Sequence, residues 1–323
     1  MNKKVKYSEL INNKECLFRY RSCNEDSLKA LEQNRLYFSK PSAFNDPYDN
    51  LVFADSSKIV GEIIGSINAG MDDYIKKNEF MNRYPYNIGA AIWKLNKDGT
   101  IKNHIKRIYA AIDAVRIHIR KNSRVICFSE VNDSMLMWSH YADYHRGFLL
   151  AFDKEKLENA RRFDADDNIV NEKTKLVQVN YVTEQTDLTT EVLEYVRNNV
   201  FDNLGDIPYR DSTIPPGKIR TVISEKATDW SYEKEWRLIP RAPKIDKESE
   251  LHYICCKPEA VIIGSKCDDD NRKKIVDICE KNKIPVYGIF LSETSADFAL
   301  KINQDGNIEV ASNEYIYIPR KEY

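Results

Sequence analysis

Strand-like and helix-like runs follow one another irregularly along this chain, with no steady strand–helix–strand alternation. A doubly wound parallel sheet needs that alternation, so the order predicts an α+β fold with a mixed, mainly antiparallel sheet. Length adds a second constraint. Single hydrophobic cores stop growing near about 250–300 residues, and the chain has 323. One α+β domain over 1–323 with a helical insertion at 56–121 accommodates it. Within that insertion Ile105, Ile108, Ile112, Val115 and Ile119 recur at helical spacing.

Apolar and alternating runs mark strands at 16–22, 35–39, 124–129, 147–152, 175–182, 235–240, 252–256, 260–264 and 286–292. Capping residues at 24–27 and at Asp133-Ser134 open helices, the second over 135–142. Further helices are expected at 154–161, 189–203, 218–227 and 272–281, the last behind the acidic run Asp268 to Asp270. Asp305-Gly306 signals a hairpin in the tail.

The charges nearly cancel, 49 Lys+Arg against 50 Asp+Glu, so no global field steers the chain onto nucleic acid or an anionic membrane. The seven cysteines are odd in number and lack CxxC spacing, which argues against a disulfide framework or a structural zinc site. No run approaches the ~20 apolar residues of a membrane span, and the N-terminal stretch lacks the apolar segment of a signal peptide. A cytoplasmic protein that does not engage membranes is the expectation. Phosphate-loop, dinucleotide-fingerprint, nucleophile-elbow and kinase motifs are absent.

Four segments concentrate polar and aromatic groups that are expensive to bury without partners. In FRYRS, Arg19 and Arg21 fall on one face of a strand, as in an anion clamp; solvated arginines on a strand edge are the plainer alternative. The segment from Tyr37 to Asp49 offers Tyr37, Ser39, Phe44, Asn45 and Asp46 for ring stacking and polar contacts. Its plainer alternative is a rigid turn in which Asn45 and Asp46 bond their own backbone. In the third segment Trp138, Tyr141 and His145 share a helix face by spacing, while His140, Tyr141 and His145 are candidates for proton transfer or for donating to a ligand, a structural histidine near the core being the plainer alternative. In the fourth, Glu233, Glu235 and Arg237 alternate along an expected strand, and Trp230 and Trp236 argue against full exposure.

Taken in order, FRYRS, LYFSKPSAFNDPYD, ICFSE, MLMWSHYADYHRGFLLAF and YEKEWRLI resemble the bacterial domain-of-unknown-function family 2971, over roughly 16–292. That resemblance suggests a role in defence against phage. A more distant likeness is to the ADP-ribosyltransferase superfamily, in the order Arg19 or Arg21, then Tyr37 to Ser39, then Glu235. It implies that an arginine holds the pyrophosphate or ribose of NAD and that Tyr37 and Phe44 pack on the nicotinamide. It also implies that Glu235 bonds the ribose 2′-hydroxyl and stabilises positive charge at C1′. The superfamily's central Ser-Thr-Ser triplet is missing, and the His140-Tyr141 helix has no counterpart in that scheme.

These readings converge on a nucleotide-binding effector. The leading expectation is an NAD-dependent ADP-ribosyltransferase or NAD glycohydrolase. Glu235, His140 and Tyr141 would be catalytic, and Arg19, Arg21, Tyr37, Ser39, Phe44, Asn45, Asp46, Trp138 and Arg237 would bind NAD. One alternative is a non-enzymatic sensor of a nucleotide or phage protein. Another is a metal-dependent nuclease using Asp46, His140, His145 and Glu235.

Overall fold

The computed structural model describes residues 6–12, 14–77, 101–171, 173–200, 214–240, 252–291 and 300–303. In chain order the elements begin with α1 (Tyr7–Asn12), β1 (Cys16–Arg21), α2 (Glu25–Glu32), β2 (Arg35–Tyr37), α3 (Ser56–Lys77), α4 (Ile101–Asn122) and β3 (Ile126–Ser129). They continue with α5 (Met135–Tyr141), β4 (Phe148–Asp153), α6 (Lys154–Asn159), β5 (Arg162–Phe163), β6 (Ile169–Val170), β7 (Thr174–Gln178), β8 (Asn180–Val182) and α7 (Thr189–Val200). The remainder are α8 (Pro216–Ile223), β9 (Glu225–Ala227), β10 (Glu235–Pro240), β11 (Tyr253–Cys255), β12 (Ala260–Ile263), α9 (Asp269–Asn282), β13 (Val286–Leu291) and β14 (Leu300–Ile302).

Side-chain caps set several helix starts, each satisfying an otherwise orphaned backbone N–H. Asn24 accepts from Ser27 N at 2.9 Å, Asp153 from Lys156 N at 3.1 Å and Asp268 from Asn271 N at 2.8 Å. The strands form an α+β core. Eight of the described strands join in the order β14-β13-β12-β4-β1-β3-β10-β7, and the β12–β13 pair is parallel while the others are antiparallel. A four-stranded sheet, β2-β11-β5-β6, and a parallel pair, β8-β9, flank it.

Strand β4 reads FLLAFD because it is buried on both faces. Leu150 and Phe152 pack on one side with Leu31, Leu36 and Phe38, whereas Leu149 and Ala151 pack on the other with Phe18, Tyr20 and Trp138. Helices α3, α4 and α7 gather a third cluster that includes Ile59, Ile112, Val192 and Ile239. The periodic residues Ile108, Ile112, Val115 and Ile119 are all buried there, each contributing about 1.5–3 kcal/mol relative to exposure. No helix among the described residues is long and apolar enough to cross a membrane.

An irregularity in the large sheet positions the site. Strand β1 pairs with β4 at six positions, from Cys16↔Asp153 to Arg21↔Phe148, but with β3 at one, Phe18↔Ser129. Beyond that point β1 and β3 part, and the Arg19 side chain enters the gap, where Nη1 donates to the Cys127 carbonyl at 3.0 Å. Phe18, Ser129 and Glu235 are cross-strand partners and share a face. Arg19 and Arg21 alternate with Phe18 and Tyr20 and so project from the opposite face.

Several expectations change in detail. The run at 218–227 is a helix only to Ile223 and becomes strand β9, because β9 pairs with β8. The run at 175–182 is broken at Val179, where the chain changes partner: Val179 N still bonds the Glu235 carbonyl at 2.9 Å, and Asn180 N turns to the Ser224 carbonyl at 2.7 Å as β8 joins β9. Glu233 is not on a strand: it ends a 3-10 turn, Thr228–Glu233, and Lys234 is left-handed at φ 43°. Helix α5 stops at Tyr141, and Asp143, Tyr144 and His145 all have positive φ. The hairpin expected at Asp305-Gly306 lies outside the described residues.

Candidate functional site

The opening between β1 and β3 leads into a cavity of about 470 Å³. All four polar segments reach it. The first supplies Arg19 and Arg21, the second Ser39, Phe44, Asn45 and Asp49, the third His140 and Tyr141, and the fourth Glu233 and Glu235. Lys226, from β9, adds a cation to the lining.

At its acidic end the cavity rests on a buried charge cluster. Arg237 is fully buried, and its five donors are all used. Nε and Nη2 donate to Glu235 at 2.8 and 3.0 Å, while Nη1 and Nη2 donate to Asp49 at 2.8 and 2.7 Å. The remaining Nη1 bond goes to the Ile223 carbonyl at 2.6 Å. Lys226 Nζ donates to Glu233 at 2.5 Å and to Glu235 at 3.3 Å. Tyr141 donates to the other Glu233 oxygen at 2.5 Å, and Asn45 Nδ2 donates to the Tyr141 hydroxyl at 3.2 Å.

The two glutamates end with opposite acidities. Burial pushes Glu235 up, but Arg237 and Lys226 outweigh it and hold the carboxyl at about 2. Burial also pushes Glu233 up; Lys226 opposes the rise, the Glu235 charge adds to it, and the result stays above its ordinary value. Tyr141 is raised by burial and by the Glu233 charge, so it remains a neutral donor.

The basic end is different. Among the described residues neither Arg19 nor Arg21 forms a salt bridge, and Arg19 bonds only the neutral Cys127 carbonyl. Burial and the Arg21 charge lower Arg19 to about 9, and burial lowers Arg21 as well. Both side chains are half-buried, Asp26 is the carboxylate whose charge acts on Arg21, and two guanidiniums on one strand face form a ready anion site.

Other expected site residues lie elsewhere. Asp46 is buried and accepts from Tyr48 N at 2.8 Å, so it closes its own turn instead of facing the cavity. Trp138 is a core side chain: Nε1 donates to the Asn132 carbonyl at 2.8 Å, and the ring stands edge-on to Tyr20. His145 stacks on Trp138, away from Tyr141, because the chain turns left-handed after the helix. Arg237 is consumed by Asp49 and Glu235 and has no donor left for a ligand. Tyr37 does not line this cavity, so it is not placed with Phe44. Asp46, His140, His145 and Glu235 are not assembled as a ligand set, and among the described residues no group of three or more His, Cys, Asp or Glu is placed to hold a metal ion.

With the geometry laid out, one comparison bears on the third and fourth segments together. Residues 137–238 match the family model described as Protein of unknown function (DUF2971). No curated protein and no solved structure matches the chain. The matched segment begins inside α5 and ends inside β10, so it holds His140, Tyr141, Lys226, Glu233, Glu235 and Arg237. The arginine pair and the Asp49 loop come from outside it, and the cavity therefore joins the matched segment to the N-terminal strands.

Lys226 and Asp49 are the residues that sequence reasoning missed. Asp49 closes the conspicuous NDPYD run, but nothing local pairs it with Arg237, which lies 188 positions away. Lys226 sits in a stretch that reads as a helix by pattern, which hides its place on a strand facing Glu233.

Proposed function

We propose that the cavity binds a phosphate-bearing nucleotide and cleaves the N-glycosidic bond of NAD. The observation that carries this reading is the polarity of the cavity: two guanidiniums without a salt bridge to any described residue at one end and two buried carboxylates at the other. Phosphates neutralise Arg19 and Arg21, which places the adjoining ribose toward Glu233 and Glu235. As the nicotinamide leaves with the glycosidic electron pair, positive charge grows at C1′. Glu235, fixed as an anion by Arg237, is suited to stabilise that charge but not to carry a proton. Glu233, with its raised pKa and its bond to Tyr141, is suited to accept the proton of the attacking water or acceptor hydroxyl. The products are nicotinamide and either ADP-ribose or an ADP-ribosylated acceptor.

The test is incubation of the purified protein with NAD and chromatography of nicotinamide and ADP-ribose. Glu235→Gln is expected to lower turnover by about a hundredfold or more while the circular dichroism spectrum is kept. Absence of NAD consumption by the intact protein over hours, with and without added protein acceptors, removes the reaction from consideration. One observation favours a second reading, a non-catalytic nucleotide sensor: both glutamates already have partners within the protein. That reading is supported if ADP-ribose binds tightly and no product forms.

A further inference from the structure

We infer that the ligand threads the gap between β1 and β3 and that a second nucleoside occupies a separate chamber on the far face of the sheet. The inference rests on the nucleotide reading above and specifies the ligand's other half. A second cavity of about 450 Å³ shares Arg19, Arg21, Ser27 and Ser39 with the first. Its remaining walls include Leu31, Leu36, Tyr37 and Leu150. Leu31, Leu36 and Leu150 belong to the core on one face of the large sheet, while Phe18 and Tyr20, which line the first cavity, belong to the core on the other. The arginine pair therefore stands between two chambers, one on each side of the sheet.

The two chambers differ in chemistry. The first holds Glu233, Glu235 and Asp49. The second has apolar walls, a half-buried tyrosine ring, and the cation Lys29 beside the carboxylate Asp26, while Arg35 at its rim is paired with Asp167 at 3.1 Å. Apolar walls with one ring suit a flat aromatic base. Guanidiniums at the shared wall suit the linking phosphates, where each can make paired N–H bonds. A mononucleotide fills one chamber, whereas a dinucleotide joined by a pyrophosphate fills both. Tyr37 then contacts the second base and not the nicotinamide, which agrees with its position away from the carboxylates.

Titration calorimetry on the full chain with ADP and with inorganic pyrophosphate tests this, because the pair differs by one nucleoside. ADP is expected to bind at least about tenfold more tightly, the scale of one base stacked on a ring. Ala30→Phe, which fills the second chamber, is expected to bring ADP to the affinity of pyrophosphate. Tyr37→Ala, which removes the ring, narrows the same gap and serves if the phenylalanine variant does not fold. Equal affinities for the two probes, or a gap that survives in the folded variants, overturns the inference. The two proposals separate cleanly. A gap closed by the variants without NAD cleavage leaves the second chamber standing and removes the reaction, and cleavage without a gap does the reverse.

Discussion

Replacing Arg237 with methionine removes the centre of the buried charge cluster while keeping much of the side-chain volume. In the intact protein its guanidinium meets Asp49 and Glu235 through four bonds of 2.7–3.0 Å. In the variant Lys226 remains as the cation against Asp49, Glu233 and Glu235. Breaking a buried ion pair from one side destabilises by about 3–5 kcal/mol, because the abandoned charge stays out of water. A loss in that range is expected at pH 7. The pH dependence checks the cause. Glu235 titrates at about 2 in the folded protein, below its unfolded value of about 4.3. Its stabilising contribution is therefore complete above the unfolded value and fades as pH falls through the folded one. Burial already holds Asp49 above its ordinary value; without Arg237 it rises further and burial raises Glu235 as well, so the folded variant takes up protons before the parent does. Its deficit against the parent then shrinks from pH 7 to pH 5. Urea unfolding followed by far-ultraviolet circular dichroism at both pH values measures the two effects. A loss under about 1 kcal/mol, typical of solvent-exposed pairs, or a deficit identical at the two pH values, refutes the reasoning.

Two further outcomes follow from the arginine pair. Arg19→Met is expected to raise the denaturation midpoint of the ligand-free protein, because below about 9 the folded state carries a half-buried guanidinium beside the Arg21 charge at a penalty. Pyrophosphate binding should fall at the same time, and a lowered midpoint or unchanged binding contradicts the anion site. Gly147→Ala places a Cβ 2.0 Å from the Arg21 carbonyl oxygen and 3.1 Å from that of Ala142, both backbone atoms. A loss of about 1–3 kcal/mol from overpacking, with weaker pyrophosphate binding as Arg21 moves, is expected by thermal melting and calorimetry; a parental melting temperature counts against it.

The fold was legible where local physics decides it. The helical spacing of Ile108 to Ile119 produces the buried face of α4, and the apolar run from Phe148 produces a strand covered on both sides. The irregular order of elements indicated α+β. Boundaries set by tertiary contact were not legible. Residues 218–227 carry a helical pattern throughout, and only pairing with β8 turns the last three into a strand. The same holds at the site. Density of polar and aromatic groups pointed to the four segments that line the cavity, because such groups need partners when buried. It did not distinguish ligand-facing groups from those satisfied internally: Asp46 closes a turn, and Trp138 fills the core. Lys226 carried no signal, since a lone lysine in a polar stretch usually reaches water.

One backbone feature gives Glu233 and Glu235 their different chemistry. In a continuous strand, residues two apart share a face and therefore an environment. Here Lys234 adopts φ 43° and ψ 54°, so Glu233 belongs to the turn and Glu235 to β10. A left-handed non-glycine residue costs about 1–2 kcal/mol, and the kink is fastened on both sides. Ser129 Oγ donates to the Glu233 carbonyl at 2.6 Å, Glu130 N to the Lys234 carbonyl at 3.1 Å, and Glu235 N to the Tyr181 hydroxyl at 2.8 Å. The kink turns Glu233 toward Tyr141 and Lys226 while Glu235 stays against Arg237. The held kink therefore gives two carboxylates two positions apart different neighbours, Tyr141 and Lys226 for one and the buried guanidinium of Arg237 for the other, which a continuous strand does not do.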